Sequence, residues 1–199
     1  VVDDHSMPPL SLHPLKGSSI YKKHKLYTCI KGSGLGEAIK TGIAYTSTPY
    51  VIIMSGDGTD DPAAIPLMYK RLYKGFDCVF GQRRWPGETL VGYPIVKWLI
   101  SRLGNRLISL FFDRHYTDYT DLFKGYRLHW TSIGLDIKTD GFSFPLELCL
   151  RAIMRGASYK VVPVTGRTRI AGTSKFRLWH EIPEYLSVLW RCLKFKYRR

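Results

Sequence analysis

The hydrophobic pattern of this chain is dominated by one apolar run that ends abruptly in small and acidic residues. Residues 50–54 are all aliphatic, aromatic or Met, which is the pattern of a strand buried on both faces. Acids follow within residues 55–61, and Pro62 then suits the first turn of a helix. Open α/β sheets bind ligands at the carboxyl ends of such strands. We therefore predict that Asp57, the first acid after the run, binds a ligand.

A carboxylate at the end of a rigid strand is a hard oxygen ligand of the kind that Mg²⁺ or Mn²⁺ prefers. Mg²⁺ keeps several positions of its coordination shell for water and substrate phosphates, so one or two protein carboxylates suffice. We predict a site for Mg²⁺ or Mn²⁺ at Asp57. For Asp60 and Asp61, a solvated acidic turn that caps the next helix is an equal alternative.

The remaining apolar segments alternate between strand and helix patterns. Further strands are predicted at 25–30, 77–81 and 159–164. Helices are predicted at 37–46, 63–73, 94–112, 144–152 and 183–196. This alternation indicates an α/β fold with a mainly parallel sheet flanked by helices. The helix over 94–112 is amphipathic, and we expect its apolar side to pack in the core.

The last predicted helix has an apolar stripe beside a basic tail. The stripe consists of Leu186, Leu189, Trp190 and Leu193. Such a helix could lie on an anionic membrane surface or dock on the domain core, and the pattern fits both. No run of eighteen uncharged apolar residues occurs, so we expect no membrane-spanning segment.

Composition predicts an anionic partner and argues against a zinc site. The 199 residues contain 30 Lys and Arg against 16 Asp and Glu, a formal charge of +14, which predicts nucleic acid, a phospholipid surface or a phosphorylated substrate. The four cysteines are far apart and form no C-x-x-C pair. We therefore expect reduced thiols, in a cytosolic setting, rather than metal ligands.

Two glycine-containing segments are candidates for phosphate binding. Residues 32–36 have the spacing G-x-G-x-G rather than G-x-G-x-x-G, which disfavours a dinucleotide site and favours close packing with a helix N-terminus open to phosphate. Residues 167–175 are basic and contain hydroxyls and a glycine. They could wrap a diphosphate or form a disordered basic loop.

Seven segments occur in the order found in family 2 glycosyltransferases. They are Asp3-Asp4-His5-Ser6, the helix start at 34–42, residues 54–62, 80–83 and 121–127, Glu147 in its helix, and residues 169–175. The chain resembles this family, and most closely its dolichol- or polyprenyl-phosphate mannose synthase branch. The resemblance covers nearly the whole chain. It implies a GT-A (Rossmann-like) catalytic domain over 1–176, followed by an amphipathic, basic helix over 177–199.

The resemblance also implies roles for individual residues. It implies a catalytic set of Asp57, Asp121, Arg127, Glu147, Arg169 and Lys175. It implies donor-binding residues at Asp3, Asp4, Ser55, Gly56, Asp57 and Arg83, and acceptor-phosphate residues at Arg127, Arg169, Ser174 and Lys175. Asp3 and Asp4 match the pair that holds nucleobase and ribose, and Asp57 matches the metal-binding second acid of the D-x-D signature.

The implied reaction is an inverting transfer of mannose or glucose from a GDP- or UDP-sugar to a polyprenyl or dolichyl phosphate. A lipid phosphate is mostly dianionic at neutral pH and needs no general base. A glycan or other hydroxyl acceptor would need a carboxylate such as Asp121 or Glu147 to take its proton. The implied location is cytoplasmic and peripheral, on the cytoplasmic face of a membrane.

The chain departs from the family pattern at two places. Ser55 stands where the signature has its first Asp, so a hydroxyl, a water, Asp60 or Asp61 would complete the metal site. The chain also opens on Val1-Val2 followed by acids, the pattern of a strand that has already begun. We therefore expect a preceding strand and helix of the natural protein to be missing.

A nucleic-acid-binding module is the non-enzyme alternative, since it would also explain the charge. The basic residues are scattered between predicted strands, however, and no stacking-rich strand motif or recognition-helix pattern occurs. We therefore expect no nucleic-acid partner.

Overall fold

The structure is a computed structural model that describes residues 1–6, 10–11, 25–29, 32–84, 95–167, 169 and 176–198. Its strands are β1 (Val2–Asp3), β2 (Tyr27–Thr28), β3 (Tyr50–Ile53), β4 (Cys78–Arg84), β5 (Lys124–Arg127) and β6 (Tyr159–Thr165). Its α-helices are α1 (Leu35–Ala44), α2 (Ile65–Tyr73), α3 (Ile95–Phe111), α4 (Leu128–Leu135), α5 (Phe144–Met154) and α6 (Leu178–Tyr197). A 3₁₀ turn at Pro62–Ala64 leads into α2.

The main sheet has four strands in the order β3-β5-β4-β6, and β1 and β2 form a separate parallel pair. β4 and β6 are parallel, whereas β5 lies antiparallel between β3 and β4. Strands β3, β4 and β6 therefore run in the same direction within a mixed sheet. The predicted α/β class with flanking helices is confirmed.

The hydrophobic core lies on both faces of this sheet. One face packs Cys78, Phe80 and Tyr126 against helices that include α5 and α6. The other packs Val79 and Val162 against α2. Because successive residues of β4 point to opposite faces, both layers draw on the same strand.

Helix α3 faces the opposite way from our expectation. Its apolar residues Leu99, Leu103 and Leu107 are 52%, 63% and 50% exposed, whereas Asn105 and Ser109 are buried. The prediction that its apolar side packs in the core is wrong for these residues. The physical reason is a polar anchor, because Asn105 Nδ2 donates to Thr120 Oγ1 (2.9 Å) and its Oδ1 accepts from the Thr120 backbone N–H (3.1 Å).

Helix α6 has one face on the domain and one face exposed. Val188 and Cys192 are buried in the core, while Leu186 and Trp190 are 60% and 69% exposed. The helix starts at Leu178, earlier than the predicted start at Pro183, and Pro183 lies inside it. Among the described residues, no helix is both long and apolar enough to cross a membrane.

Candidate active site

The candidate site lies at one edge of the main sheet, where β3, β4 and β6 end and β5 begins. Ile53 and Phe80 both pair with Lys124, so residues after Ile53, after Phe80 and before Lys124 extend past the same edge. The register therefore brings together the acids after β3, Arg83 near the end of β4, and Asp121 before β5.

Asp57 is held by contacts to both of its carboxylate oxygens. Oδ1 accepts from the backbone N–H of Thr59 (3.1 Å) and from its hydroxyl (2.6 Å). Oδ2 forms an ion pair with Arg169 Nη2 at 2.8 Å. Burial raises the pKa of Asp57, but the hydrogen bonds from Thr59 and Ser55 and the charge of Arg169 outweigh it, so the pKa is lowered. Asp57 is therefore a carboxylate at neutral pH.

Asp60 lies deeper than Asp57 and supports the loop that carries it. Its Oδ2 accepts from the backbone N–H of Ser55 at 2.7 Å, and its side chain is buried. Burial, together with the nearby charge of Asp121, raises the pKa of Asp60 to about 6. Asp60 thus fixes the backbone of Ser55 through this hydrogen bond. Burial and the charge of Asp121 make the ionised form of Asp60 unfavourable.

Arg83 joins the end of β4 to the segment before β5. Its Nε and Nη2 donate to the two oxygens of Asp118 at 2.8 and 2.6 Å, a fork-to-carboxylate pair. Its Nε also lies 3.4 Å from Asp121 Oδ1. Asp121 Oδ2 is buried and has no hydrogen-bond partner among the described residues. Burial raises the pKa of Asp121 against the attraction of Arg83.

A buried lysine supports the same segment. Lys124 is 1% exposed, and its ammonium donates to the carbonyls of Tyr119 (3.1 Å) and Asp121. Burial lowers its pKa. Both carbonyls belong to the turn that carries Asp121, so Lys124 fixes the position of that acid.

Two arginines that closely follow β6 reach the acids after β3. Arg169 contacts Asp57, and Arg167 Nη2 lies 3.1 Å from Asp61 Oδ2. Asp61 also caps the 3₁₀ turn by accepting from the Ala63 N–H at 3.1 Å, as its acidic-turn alternative predicted. Ser174 and Lys175 of the predicted phosphate-binding loop lie outside the described residues.

The structure does not bring Arg127 to this edge. It pairs with Tyr50, the first residue of β3, at the far end of β5 from Lys124. Its Nε and Nη2 donate to the carbonyls of Phe76 (3.2 Å) and Leu72 (3.4 Å) at the end of α2. The predicted contact of Arg127 with donor or acceptor phosphate is therefore corrected, because an antiparallel β5 places its last residue away from the acids.

Glu147 is engaged by arginines of two helices. Its Oε1 accepts from Arg151 Nε (2.9 Å) and Nη2 (2.5 Å), and its Oε2 from Arg191 Nη2 (2.8 Å) and Thr139 (3.2 Å). The side chain is 1% exposed. These contacts give Glu147 a role in joining α6 to α5, and its predicted role toward the acceptor stays a prediction.

Asp3 and Asp4 both make hydrogen bonds to backbone N–H groups. Asp3 accepts from Ser6 (3.1 Å) and Leu10 (3.1 Å), and Asp4 Oδ1 accepts from Gly34 at 2.7 Å. The Gly36 N–H donates to the Asp140 carbonyl at 2.7 Å.

The glycines at the start of α1 serve close packing, as predicted. A Cβ added at Gly36 would lie 2.8 Å from the backbone of Asp140. The accompanying expectation of an N-terminus open to phosphate is not met at Gly34 and Gly36, because both of their N–H groups already have partners within the protein.

Sequence reasoning missed Asp118 and Lys124 as members of the site. Asp118 stands three residues before Asp121 within a segment of mixed charge, and that spacing was an available signal. Nothing in the pattern identified Lys124, because a lysine within a strand ordinarily indicates a solvent-facing position.

The donor set fits a divalent cation whose shell is completed by a ligand. Among the described residues no three His, Cys, Asp or Glu side chains converge as a metal cage. Asp57 supplies a permanently charged carboxylate, and the Ser55 hydroxyl lies 3.5 Å from the Asp57 backbone nitrogen. One carboxylate with a neighbouring hydroxyl is compatible with Mg²⁺ that takes its remaining ligands from water and phosphates.

A mixed α/β sheet with an acidic loop after one strand and arginines facing it matches the predicted GT-A-like class of fold. The chain belongs to glycosyl transferase family 2, whose family model matches residues 1–132. The resemblance seen in the sequence is confirmed.

Two curated relatives are similar to most of the chain. Glycosyltransferase AglJ of Haloferax volcanii is 32% identical over 149 residues, 71% of this chain and 46% of that protein. Undecaprenyl-phosphate mannosyltransferase of Micrococcus luteus is 29% identical over 157 residues, 76% of this chain and 64% of that protein. The chain thus spans about half to two thirds of the length of these relatives.

A solved structure shares the fold at low sequence identity. Glucosyl-3-phosphoglycerate synthase of Mycobacterium tuberculosis, in complex with Mn²⁺, UDP-glucose and phosphoglyceric acid, gives a TM-score of 0.67 at 14% identity. The match covers 88% of this chain and 63% of that chain. It confirms the predicted fold.

Proposed function

We propose that this domain transfers mannose or glucose, with inversion, from a GDP- or UDP-sugar to a polyprenyl or dolichyl phosphate. The observation that carries the proposal is that the Asp57–Arg169 pair and Arg83, which pairs with Asp118 and Asp121, lie at the same end of the sheet. A sugar diphosphate is the anion that such a site fits, since arginine forks bind phosphate oxygens. The relative named for undecaprenyl phosphate supports a lipid acceptor.

The chemistry requires that the leaving diphosphate be neutralised as it gains charge. Asp57, with the Ser55 hydroxyl nearby, would hold Mg²⁺ or Mn²⁺, which supplies Lewis-acid neutralisation of that diphosphate when bound. Arg169 and Arg83 provide positive charge beside it, and Lys175 is a further predicted contact. Asp3, Asp4 and Gly56 complete the proposed donor side, with Ser174 on the acceptor phosphate.

The surface formed by α3 and α6 supports a membrane lipid as the acceptor. Leu99, Leu103 and Leu107 of α3 are exposed, as are Leu186 and Trp190 of α6. The two helices meet where Lys196 Nζ donates to the Phe111 carbonyl at 2.5 Å. We infer that their apolar stripes adjoin and that the domain is peripheral on the cytoplasmic face of a membrane.

A hydroxyl acceptor is the second candidate, and one observation favours it. Asp121 Oδ2 is buried without a hydrogen-bond partner among the described residues, and burial raises the pKa of this carboxyl. A carboxylate with a raised pKa is a better general base. With such an acceptor Asp121 would take the hydroxyl proton.

The test is incubation of the protein with radiolabelled GDP- and UDP-sugars, Mg²⁺ or Mn²⁺, and polyprenyl phosphate, followed by organic extraction. We expect label in the lipid phase with one nucleotide sugar. Label that stays in the aqueous phase on an added glycan would favour the hydroxyl acceptor. Absence of transfer to either acceptor would contradict the proposal.

A further inference from the structure

Two arginine–aspartate pairs connect the segments that follow the two outer strands of the main sheet. β3 and β6 are the edge strands of the order β3-β5-β4-β6, so they are about 14 Å apart across three strand spacings. Arg169 after β6 nevertheless reaches Asp57 after β3 at 2.8 Å, and Arg167 reaches Asp61 at 3.1 Å. Both pairs therefore lie across the end of the sheet at which the donor is proposed to bind, where β3, β4 and β6 terminate.

The Arg169 pair uses the oxygen that a metal ion would need. Asp57 Oδ1 already accepts two hydrogen bonds from Thr59, and Oδ2 is the oxygen paired with Arg169. A divalent cation at the same oxygen would lie within a few ångströms of the guanidinium, where like charges repel strongly. Binding of the cation therefore requires Arg169 to leave Asp57.

We propose that Arg169 is a specificity-determining residue. It stays paired with Asp57 when only free divalent cations are present. It releases Asp57 only to a cation that is bound to a nucleoside diphosphate. This inference rests on the proposed function, because it takes the donor diphosphate as the ligand. A free cation that displaced the arginine would bring no anion to replace Asp57 as its ion-pair partner. A cation that arrives with a diphosphate also brings phosphate oxygens, which the Arg169 fork can bind instead.

The exchange makes binding of metal and nucleotide cooperative. Each ligand gains affinity when the other is present, because only together do they satisfy both Asp57 and Arg169. A molecule without Arg169 should therefore bind the free metal more tightly and the nucleotide less tightly. An arginine that merely supports the fold would not change these two affinities in opposite directions.

The second pair provides a matched control. Arg167 and Asp61 join the same two segments, but Asp61 Oδ1 caps the 3₁₀ turn, and the proposed metal site uses Asp57 and Ser55 rather than Asp61. Arg167→Gln removes one guanidinium and one ion pair from these segments, as Arg169→Gln does. It leaves Asp57 and its partner intact.

The experiment measures Mn²⁺ binding by electron paramagnetic resonance on the whole chain, first without nucleotide and then with saturating GDP or UDP. We expect Arg169→Gln to bind free Mn²⁺ about tenfold more tightly than the unsubstituted chain and to bind the nucleotide about tenfold more weakly. Arg167→Gln should stay within about twofold for free Mn²⁺. Asp57→Asn in the Arg169→Gln background should abolish the gain.

Unchanged or weaker free Mn²⁺ binding by Arg169→Gln would overturn the inference, as would a gain that survives Asp57→Asn. Lack of measurable Mn²⁺ binding by all variants would also overturn it. Circular dichroism confirms that each variant is folded. The metal titration contains no sugar or acceptor, so a failure of the transfer assay alone would count against the proposed function and not against the role of Arg169.

Discussion

Asp57 combines a charge that persists at neutral pH with restrained geometry, and both come from contacts with its own loop and with Arg169 after β6. Thr59 contributes a backbone N–H and a hydroxyl to one oxygen, and Arg169 contacts the other. These contacts lower the pKa of the carboxyl. A residue that stays ionised and fixed at the end of a strand is suited to hold a cation.

Asp57→Asn should therefore abolish Mn²⁺-dependent nucleotide binding while the fold stays intact. The amide keeps the size of the side chain but loses the charge that attracts the cation. Calorimetric titration of GDP or UDP with and without Mn²⁺ measures the effect. Asp61→Asn is the control, because Asn can still cap the 3₁₀ turn. Unaltered metal-dependent binding by Asp57→Asn would contradict this assignment.

Asp60 gives the site a pH-dependent cost in stability. Its pKa is about 6 in the folded chain, above the ordinary value of 3.8, so folding favours the protonated form. The resulting stabilisation is complete below about pH 4 and is lost as pH rises through about 6.

Asp60→Asn should gain stability relative to the unsubstituted chain between pH 5 and pH 7.5. Asn has no charge to bury and can still accept the Ser55 N–H. A shift of about 2 pKa units corresponds to at most roughly 3 kcal/mol, and we expect a difference of about 1–2 kcal/mol. Urea unfolding at the two pH values measures it. A difference that is constant with pH would show that Asp60 is not destabilised by its charge.

At the scale of elements, Glu147 joins α5 to α6. Arg151 belongs to α5 and Arg191 to α6, and both donate to its buried carboxylate. Both arginines are partly exposed, at 28% and 43% of their side chains. Water can therefore solvate them in part if the carboxylate is lost, which reduces the penalty below that of a fully buried pair.

Glu147→Gln should lower the free energy of unfolding by roughly 2 kcal/mol, measured by urea denaturation. The control Asp140→Asn removes an exposed ion pair with Lys40 and should change it by less than about 0.5 kcal/mol. If Glu147→Gln instead left stability unchanged and reduced only sugar transfer, Glu147 would act on the acceptor, as the sequence resemblance implied.

The sequence could locate those strands and helices whose pattern of apolar and polar residues matches the face that they bury. The apolar runs of β3, β4 and β6 and the stripes of α2 and α5 were placed to within a few residues. Helix α4 was not predicted, because its apolar residues Leu128 and Trp130 lie on different sides of the helix. Strand β5 was not predicted as a separate strand, because Lys-Gly-Tyr-Arg has no strand-like alternation and its lysine is buried by tertiary contacts.

The site residues likewise fall into those that the sequence could locate and those that it could not. The position of Asp57 follows from the run that precedes it, and sequence alone was sufficient. The misplacement of Arg127 depended on the direction of β5, which pairs antiparallel with strands distant in sequence. No local sequence pattern indicates the direction of β5 in the sheet. The ion pairs of Arg83 and Arg169 likewise arise only when separate strands end at one edge.

At the scale of the whole molecule, the exposed apolar side of α3 and the outer face of α6 form a surface that is both apolar and basic. Exposed cations are interleaved with the exposed apolar residues, namely Arg102, Arg106, Lys194 and Arg198. Two copies of such a face would bring like charges together, whereas an anionic bilayer offers both apolar and negative surface. Each cation near such a bilayer contributes roughly 1 kcal/mol, so four contribute about 4 kcal/mol before salt screening.

The chain should therefore sediment with anionic vesicles at low salt, less at high salt, and weakly with neutral vesicles. The double variant Leu103→Ser, Trp190→Ser should reduce binding at least tenfold, because each inserted apolar side chain contributes roughly 1.5–3 kcal/mol. Tyr73→Ser is the control, since Tyr73 is 69% exposed on α2, which packs on the opposite face of the sheet. Point substitutions are preferable to removing α6, because Val188 and Cys192 of that helix are core residues. Equal binding by all three proteins, or none at low salt, would contradict the membrane role. The exposed face would then require a protein partner, and the hydroxyl acceptor with Asp121 as base would become the better account of the site.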